Sequence, residues 1–288
     1  MKAIILGGNG SIGSRHIKNL KNFNITVTSV DINEWNDIDN IICKNKFDFG
    51  LVCTPTYLHL EHVYKLAKNK INFFCEKPYY FNKDENLCKK ILDCVKKYNL
   101  INMIGCNLRF HPVIKSINKR KLNKSFKVDV RFGYDLRKWR NSNHKNSYSA
   151  NKNMGGGITF DAIHEFDYLY YWFGKIKKLN IIEKNTGLVT VDSEDVSTGT
   201  IEFVNGKLAS FHLDYLSPTY TRYFVLYTKK NNKIISDDLY HINYPCNTMY
   251  VDEIAYFIDH VKNKKKCMND VEEANYLIEK INNARKKS

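Results

Sequence analysis

No stretch of the 288-residue sequence approaches the ~20 consecutive apolar residues that a membrane-crossing helix needs, so no membrane partner is expected. The opening run Met1-Lys2-Ala3-Ile4-Ile5-Leu6 is too short for the apolar core of a secretory signal and meets glycines at once. It reads as a first buried strand, and the chain is expected to stay in the cytoplasm. Eight cysteines are present (Cys43, Cys53, Cys75, Cys88, Cys94, Cys106, Cys246 and Cys267), yet none forms a Cys-x-x-Cys pair. Several lie inside apolar runs, where a thiol packs as a small hydrophobe, so reduced thiols are expected and neither a disulfide framework nor a metal centre. No internal repeat or low-complexity linker interrupts the chain. Acid is the scarcer charge, 30 residues against 45 basic ones, for a net charge of +15. Basic chains collect phosphates, but the lysines are dispersed and only Lys264-Lys265-Lys266 form a tight cluster. No nucleic-acid partner is expected; the field suits an anionic cofactor and an anionic substrate.

What is present is apolar patterning. Hydrophobic residues make up 43% of the chain, enough for two ordinary cores. In the first third, Lys2–Leu6, Thr26–Val30, Gly50–Cys53, Asn72–Cys75 and Ile101–Gly105 read as buried strands. Between them, Ile12–Asn22, His59–Lys68 and Asn86–Tyr98 carry apolar residues at helical spacing. Such alternation predicts a doubly wound parallel sheet. Beyond about residue 115 the pattern becomes that of half-buried strands: Phe126–Phe132, Leu179–Ile182, Val196–Val204, Lys207–Tyr215 and Arg222–Thr228. Asn205-Gly206 supplies a hairpin turn between two of them. One helix is predicted over Phe160–Phe173, and two more, Asp252–Val261 and Val271–Lys286, follow the strands. The fold class is therefore α/β, with a dinucleotide-type domain over 1–115 and a second α/β domain over 116–288 built on an open, mostly antiparallel sheet.

Gly8-Asn9-Gly10-Ser11-Ile12-Gly13 sits between the first strand and the first helix. Glycines there permit a tight turn, close approach of backbone to a pyrophosphate and close packing of helix on sheet. The helix N-terminus adds N–H groups and a positive dipole end. Asp31 follows the second strand, where a carboxylate accepts bonds from ribose hydroxyls and repels a 2′-phosphate, which favours NAD over NADP. Thr54 and Pro55 follow the third strand, at the edge where such sheets bind ligands. His59 and His62 on the next helix read as surface residues. Glu76-Lys77-Pro78 follows the fourth strand; Lys77 there can stabilise charge on a substrate oxygen, with Glu76 holding it and Pro78 stiffening the turn.

These segments, with Asn107-Leu108-Arg109-Phe110-His111-Pro112 and Gly155-Gly156-Gly157-Ile158-Thr159-Phe160-Asp161-Ala162-Ile163-His164-Glu165-Phe166-Asp167, resemble the glucose–fructose oxidoreductase / inositol dehydrogenase (Gfo/Idh/MocA) family over residues 1 to about 175. The resemblance implies an N-terminal Rossmann domain and a C-terminal domain whose sheet builds the substrate pocket and an oligomer interface. It implies that Lys77 is the active-site lysine and that Asp161 and His164 occupy substrate-binding and proton-transfer positions. Many members place one more residue between that Asp and His. Arg109 belongs with the candidate substrate residues. The loop from Leu136 to Ala150 looks like that of members acting in surface-polysaccharide and nucleotide-sugar pathways, which makes Trp139, Arg140 and Tyr148 candidate contacts: aromatic faces for a ring, a guanidinium for a phosphate or carboxylate. The expected chemistry is oxidation or reduction of a sugar or nucleotide-sugar carbon with NAD. The alternatives are a sensor that has kept the fold without turnover, and a reductase of a non-sugar substrate.

Overall fold

The computed structural model describes residues 1–139, 141–228, 234–239 and 246–286, and the chain divides into two compact units. The first unit begins with β1 (Lys2–Leu6), α1 (Ser11–Asn22), β2 (Thr26–Val30), α2 (Ile38–Lys44), β3 (Phe49–Val52), α3 (His59–Lys68), β4 (Asn72–Cys75), α4 (Glu85–Tyr98) and β5 (Asn102–Ile104). Its five strands are all parallel, in the order β2-β1-β3-β4-β5. Central strands of a parallel sheet are covered on both faces, which is why Ala3-Ile4-Ile5-Leu6 and Phe73-Phe74-Cys75 are unbroken apolar runs, all fully buried. The order reverses at β1, with β2 on one side and β3 on the other. The crevice beyond the carboxyl ends of β1 and β3 is therefore the place where this topology takes a ligand.

The second unit contains α5 (Pro112–Ser116), α6 (Lys119–Lys124), β6 (Ser125–Gly133), α7 (Leu136–Trp139), α8 (Ile158–Asp161), α9 (Ile163–Phe173), β7 (Ile176–Lys184), β8 (Val196–Phe203), β9 (Leu208–Asp214), β10 (Thr221–Thr228) and β11 (Ile234–Asp238). Its sheet runs β11-β10-β6-β9-β8-β7; only β6 and β9 pair in parallel. Alternation puts Val128, Val130 and Phe132 of β6 into the core, while Lys127, Asp129 and Arg131 point to the other face. The aromatic side of α9 closes that core: Phe166 meets Phe211 at 4.9 Å, Trp172 meets Phe224 at 5.0 Å and Phe173 meets Phe203 at 5.2 Å between ring centroids. Gly206 turns the β8–β9 hairpin at φ +79°, a conformation glycine adopts without strain.

Two features differ from the sequence reading. The chain returns to the first unit, which consists of Met1–Cys106 together with Cys246–Tyr276; the second unit is Asn107–Pro245 with Leu277–Ser288. Thus α10 (Cys246–Asn263) and the first turns of α11 (Val271–Arg285), up to Tyr276, belong with the first sheet, while the rest of α11 belongs with the second. The reason is packing: Phe257 of α10 lies edge-on to Phe49 at 5.5 Å and meets Phe74 at 5.8 Å. The single helix expected over Phe160–Phe173 is also two helices. Ala162 leaves helical geometry (φ −96°, ψ 27°) between α8 and α9, so Asp161 and His164 lie on opposite sides of a break. No disulfide joins the described cysteines.

Candidate active site

In the first unit the glycine loop is shaped by steric demand. A Cβ on Gly13 would overlap the carbonyl oxygen of Gly7, so only glycine lets α1 lie this close to the end of β1. Gly10, the residue before α1, has an open flank: its Cβ would meet nothing nearer than the Gly7 oxygen at 3.5 Å. The backbone N–H of Asn9 in this loop donates to both carboxylate oxygens of Asp31, at 3.0 and 3.3 Å. Asp31 is thereby drawn against the phosphate-loop turn. The 3-10 segment after it, Ile32-Asn33-Glu34-Trp35-Asn36-Asp37, holds two carboxylates and no cation. These residues fit a dinucleotide: glycines and a helix N-terminus for its phosphates, a carboxylate for a ribose.

The turns after β3 and β4 are fastened from below by histidines. His59 and His62, expected at the surface, are 1% and 2% exposed. His59 Nε2 lies 2.8 Å from the carbonyl oxygen of Thr54, and its Nδ1 lies 2.8 Å from that of Pro78. Burial, opposed by those two carbonyls, holds His59 below its ordinary pKa. His62 Nδ1 is 3.0 Å from Thr54 Oγ1, and burial depresses its pKa to about 4, leaving it neutral at physiological pH. The Glu76 carboxylate meets His16 of α1, with Nε2 to Oε1 at 2.7 Å. Its other oxygen accepts the Lys77 backbone N–H at 3.3 Å. Burial pushes Glu76 up, but the hydrogen bond and charge of His16, with Lys77, outweigh it and hold the carboxyl below its usual range. The Lys77–Pro78 peptide is cis.

The second unit brings together a different set. The Asp161 carboxylate accepts the Tyr148 hydroxyl at 2.5 Å on one oxygen and the Tyr215 hydroxyl at 2.7 Å on the other. Burial and the adjacent Asp161 raise the Tyr215 phenol well above its ordinary value, so it remains a donor. Trp139, half-buried, sets its edge against Tyr215 and Phe132 at 6.2 and 5.7 Å. Asp161, Trp139 and Tyr148 thus converge around Tyr215, which no sequence motif had marked. His164, the second residue of α9, is 9% exposed. Arg140 lies outside the described residues. The Arg109 guanidinium forks onto Asp167 at 2.8 Å through both Nε and Nη2 and lies over the Tyr171 ring, each member of the ion pair about 1% exposed. This pair binds the segment after β5 to α9. Among the described residues no group of three or more His, Cys, Asp or Glu could hold a metal.

At the start of α8 lies a buried charge cluster. Gly157, at φ +115°, leaves room for the Glu194 carboxylate, which a Cβ there would overlap. Glu194 accepts the Thr159 backbone N–H at 3.2 Å and Arg285 Nη2 at 3.0 Å; Arg285 also bonds Glu183, to which the Thr159 hydroxyl donates. Burial, offset by Arg285 and reinforced by Glu183, raises Glu194 from 4.5 to about 7. A carboxyl with a raised folded pKa binds its proton more tightly in the folded state, so its contribution is full below about 4.5 and is lost as pH rises through about 7. The Glu194→Gln variant should therefore flatten the fall in stability between pH 5 and pH 8, on the order of 2–3 kcal/mol in the parent chain. Denaturant unfolding at the two pH values checks this; an unchanged pH dependence would rule it out.

One unit with a parallel sheet ending in a glycine loop and carboxylate, and another with an open mixed sheet and an Asp–Tyr cluster, are the parts of a two-unit dinucleotide oxidoreductase. Residues 11–106 match the family model described as the oxidoreductase family, NAD-binding Rossmann fold, and residues 113–231 match the GFO/IDH/MocA C-terminal domain. The chain belongs to the Gfo/Idh/MocA oxidoreductase family. It is 29% identical over 181 residues to the 2,7-anhydro-N-acetylneuraminate hydratase of Escherichia coli, a match covering 60% of this chain and 47% of that protein. The chain spans about half the length of the first curated relatives it matches. In fold it is similar to GenD2 from gentamicin A biosynthesis in complex with NAD (TM-score 0.80, 15% identity, 99% of this chain and 93% of that one). It is equally similar to the myo-inositol 2-dehydrogenase of Lactobacillus plantarum (TM-score 0.80, 15% identity, 99% and 96%). No helix among the described residues is long and apolar enough to cross a membrane.

Proposed function

We propose that the protein oxidises or reduces a hydroxyl- or keto-bearing carbon of a sugar or nucleotide sugar with NAD. The observation that carries this reading is the placement of Lys77 at the carboxyl edge of the first sheet, on a turn fixed by buried partners, in a unit whose glycine loop and Asp31 suit a dinucleotide. The bound nicotinamide ring supplies the two-electron chemistry. Gly8 to Gly13 receive the pyrophosphate, Thr54 and Pro55 line the same edge, and Asp31 accepts the ribose hydroxyls. Lys77 holds the reacting oxygen and stabilises its charge. His164 takes or returns the proton, since an imidazole titrates near neutral pH. The Asp161 carboxylate, held by Tyr148 and Tyr215, binds substrate hydroxyls, and Trp139 offers a flat face to a ring. The basic surface favours an anionic, nucleotide-linked substrate over a free polyol, and the chain assembles with its own copies through the second sheet. The test is a screen of nucleotide sugars and free polyols followed at the nicotinamide absorbance; turnover of free inositol or glucose with every nucleotide sugar inert would reverse the substrate assignment.

NAD is the cofactor because the segment after Asp31 adds carboxylates and no cation. Asp31→Ser should weaken NAD binding and relieve the penalty on NADP, each by roughly tenfold for a lost or gained charged hydrogen bond. Calorimetric titration with both dinucleotides measures it, and equal affinity of the parent protein for the two would refute it. A second reading is favoured by the hydratase among the relatives: addition or loss of water at a sugar carbon. A product differing from substrate by one water, with no net change in nicotinamide absorbance, would select that reading.

A further inference from the structure

Three consecutive residues of the Lys77 turn each have a backbone or side-chain anchor in the first unit. The Glu76 N–H donates to the Val52 carbonyl at 2.9 Å, the Lys77 N–H to Glu76 Oε2, and the Pro78 carbonyl faces His59. Two histidines from different helices stand behind these anchors. His16, on the helix whose N-terminus carries the glycine loop, holds the Glu76 carboxylate and is itself wedged edge-on against Phe74 and Tyr250 at 5.5 and 6.1 Å. His59, on α3, spans the carbonyls of Thr54 and Pro78 and so ties the β3 turn to the β4 turn. Both imidazoles are at most 1% exposed, and neither can reach a ligand. We infer that His16 and His59 are positioning residues for Lys77, one on each flank of its turn, and that His16 joins the phosphate-binding helix to the lysine through Glu76.

The inference rests on the reading of Lys77 as the residue that holds the reacting oxygen. The chemistry explains why histidine is used at each place. His16 gives the buried Glu76 carboxylate a ring nitrogen as partner; without it, the cation that remains beside Glu76 is Lys77, which would be drawn off its task. Neutral imidazole donates from one nitrogen only, yet His59 faces two carbonyls.

The experiment uses the full chain with two readouts: steady-state turnover, and competitive acetylation of the Lys77 amine in the cofactor-free protein, scored by mass spectrometry against Lys96 and Lys184. His16→Leu is expected to lower kcat by roughly 10–100-fold, as misplaced catalytic groups do, with the Kd for NAD unchanged. Lys77 acetylation should fall several-fold as Glu76 captures the ammonium, and His16→Gln, which keeps one N–H donor, should restore both. His59→Leu should lower kcat similarly and raise Lys77 acetylation by loosening the turn. If His16→Leu fails to fold, the pair His16→Leu with Glu76→Leu leaves no buried charge and should still show the kcat loss. Parent-like turnover and acetylation in both single variants, while Lys77→Met is inactive, would overturn the inference. An active Lys77→Met would overturn the catalytic reading instead, and the acetylation arm would still decide whether the two histidines govern Lys77.

Discussion

Replacing Lys77 with Met should lower kcat by roughly 10²–10³-fold, the usual loss when a charge aimed at a developing oxyanion is removed. Met keeps the length and the apolar stem, so the turn between Glu76 and Pro78 keeps its anchors. NAD affinity should hold within about twofold, because the groups assigned to the phosphates and ribose are Gly8 to Gly13 and Asp31. The loss should appear in kcat and kcat/KM alike, the signature of an interaction made in the transition state. Steady-state kinetics with a calorimetric Kd checks both halves; unaltered kcat would show that Lys77 does not act on the reacting oxygen.

His164→Asn is the second large effect. Asparagine preserves a polar group of similar breadth but cannot exchange a proton near neutrality, so turnover should fall by roughly 10²–10⁴-fold. The parent should show a rate limb governed by an imidazole whose unperturbed pKa is about 6.5, and the variant should lose that limb. Full activity in His164→Asn, with the limb retained, would leave the histidine as packing in α9.

Much of the first unit could be read from the sequence because its physics is local. Lys2–Leu6, Thr26–Val30, Asn72–Cys75 and His59–Lys68 have the bounds that their apolar spacing indicates, and the glycine run marks the turn that only glycine can make against Gly7. The Asn205-Gly206 hairpin is similarly local. What could not be read depends on partners distant in the chain. Nothing near His59 announces that Thr54 and Pro78 will close over it, and a histidine on an amphipathic helix looks solvated until the second turn arrives. Arg109 looked available to a substrate because its partner, Asp167, is 58 residues away. The helix break at Ala162 is invisible in a continuous helical pattern, since the Tyr148 and Tyr215 hydroxyls that take hold of Asp161 come from residues on either side of it in the chain.

The return of the chain to its first unit sets an order on biosynthesis. Cys106 N–H waits for Glu253, 147 positions on, and Asn19 for Asn247, 228 positions on. Residues 107 to 245 must emerge between these partners, which at ~5–20 residues per second takes on the order of ten seconds or more. During that interval the strands of the first sheet exist without Phe257 over Phe49 and Phe74, and apolar surface stays open to chaperones. The part of the protein made earliest is thus not complete until α10, one of the last elements made, has docked.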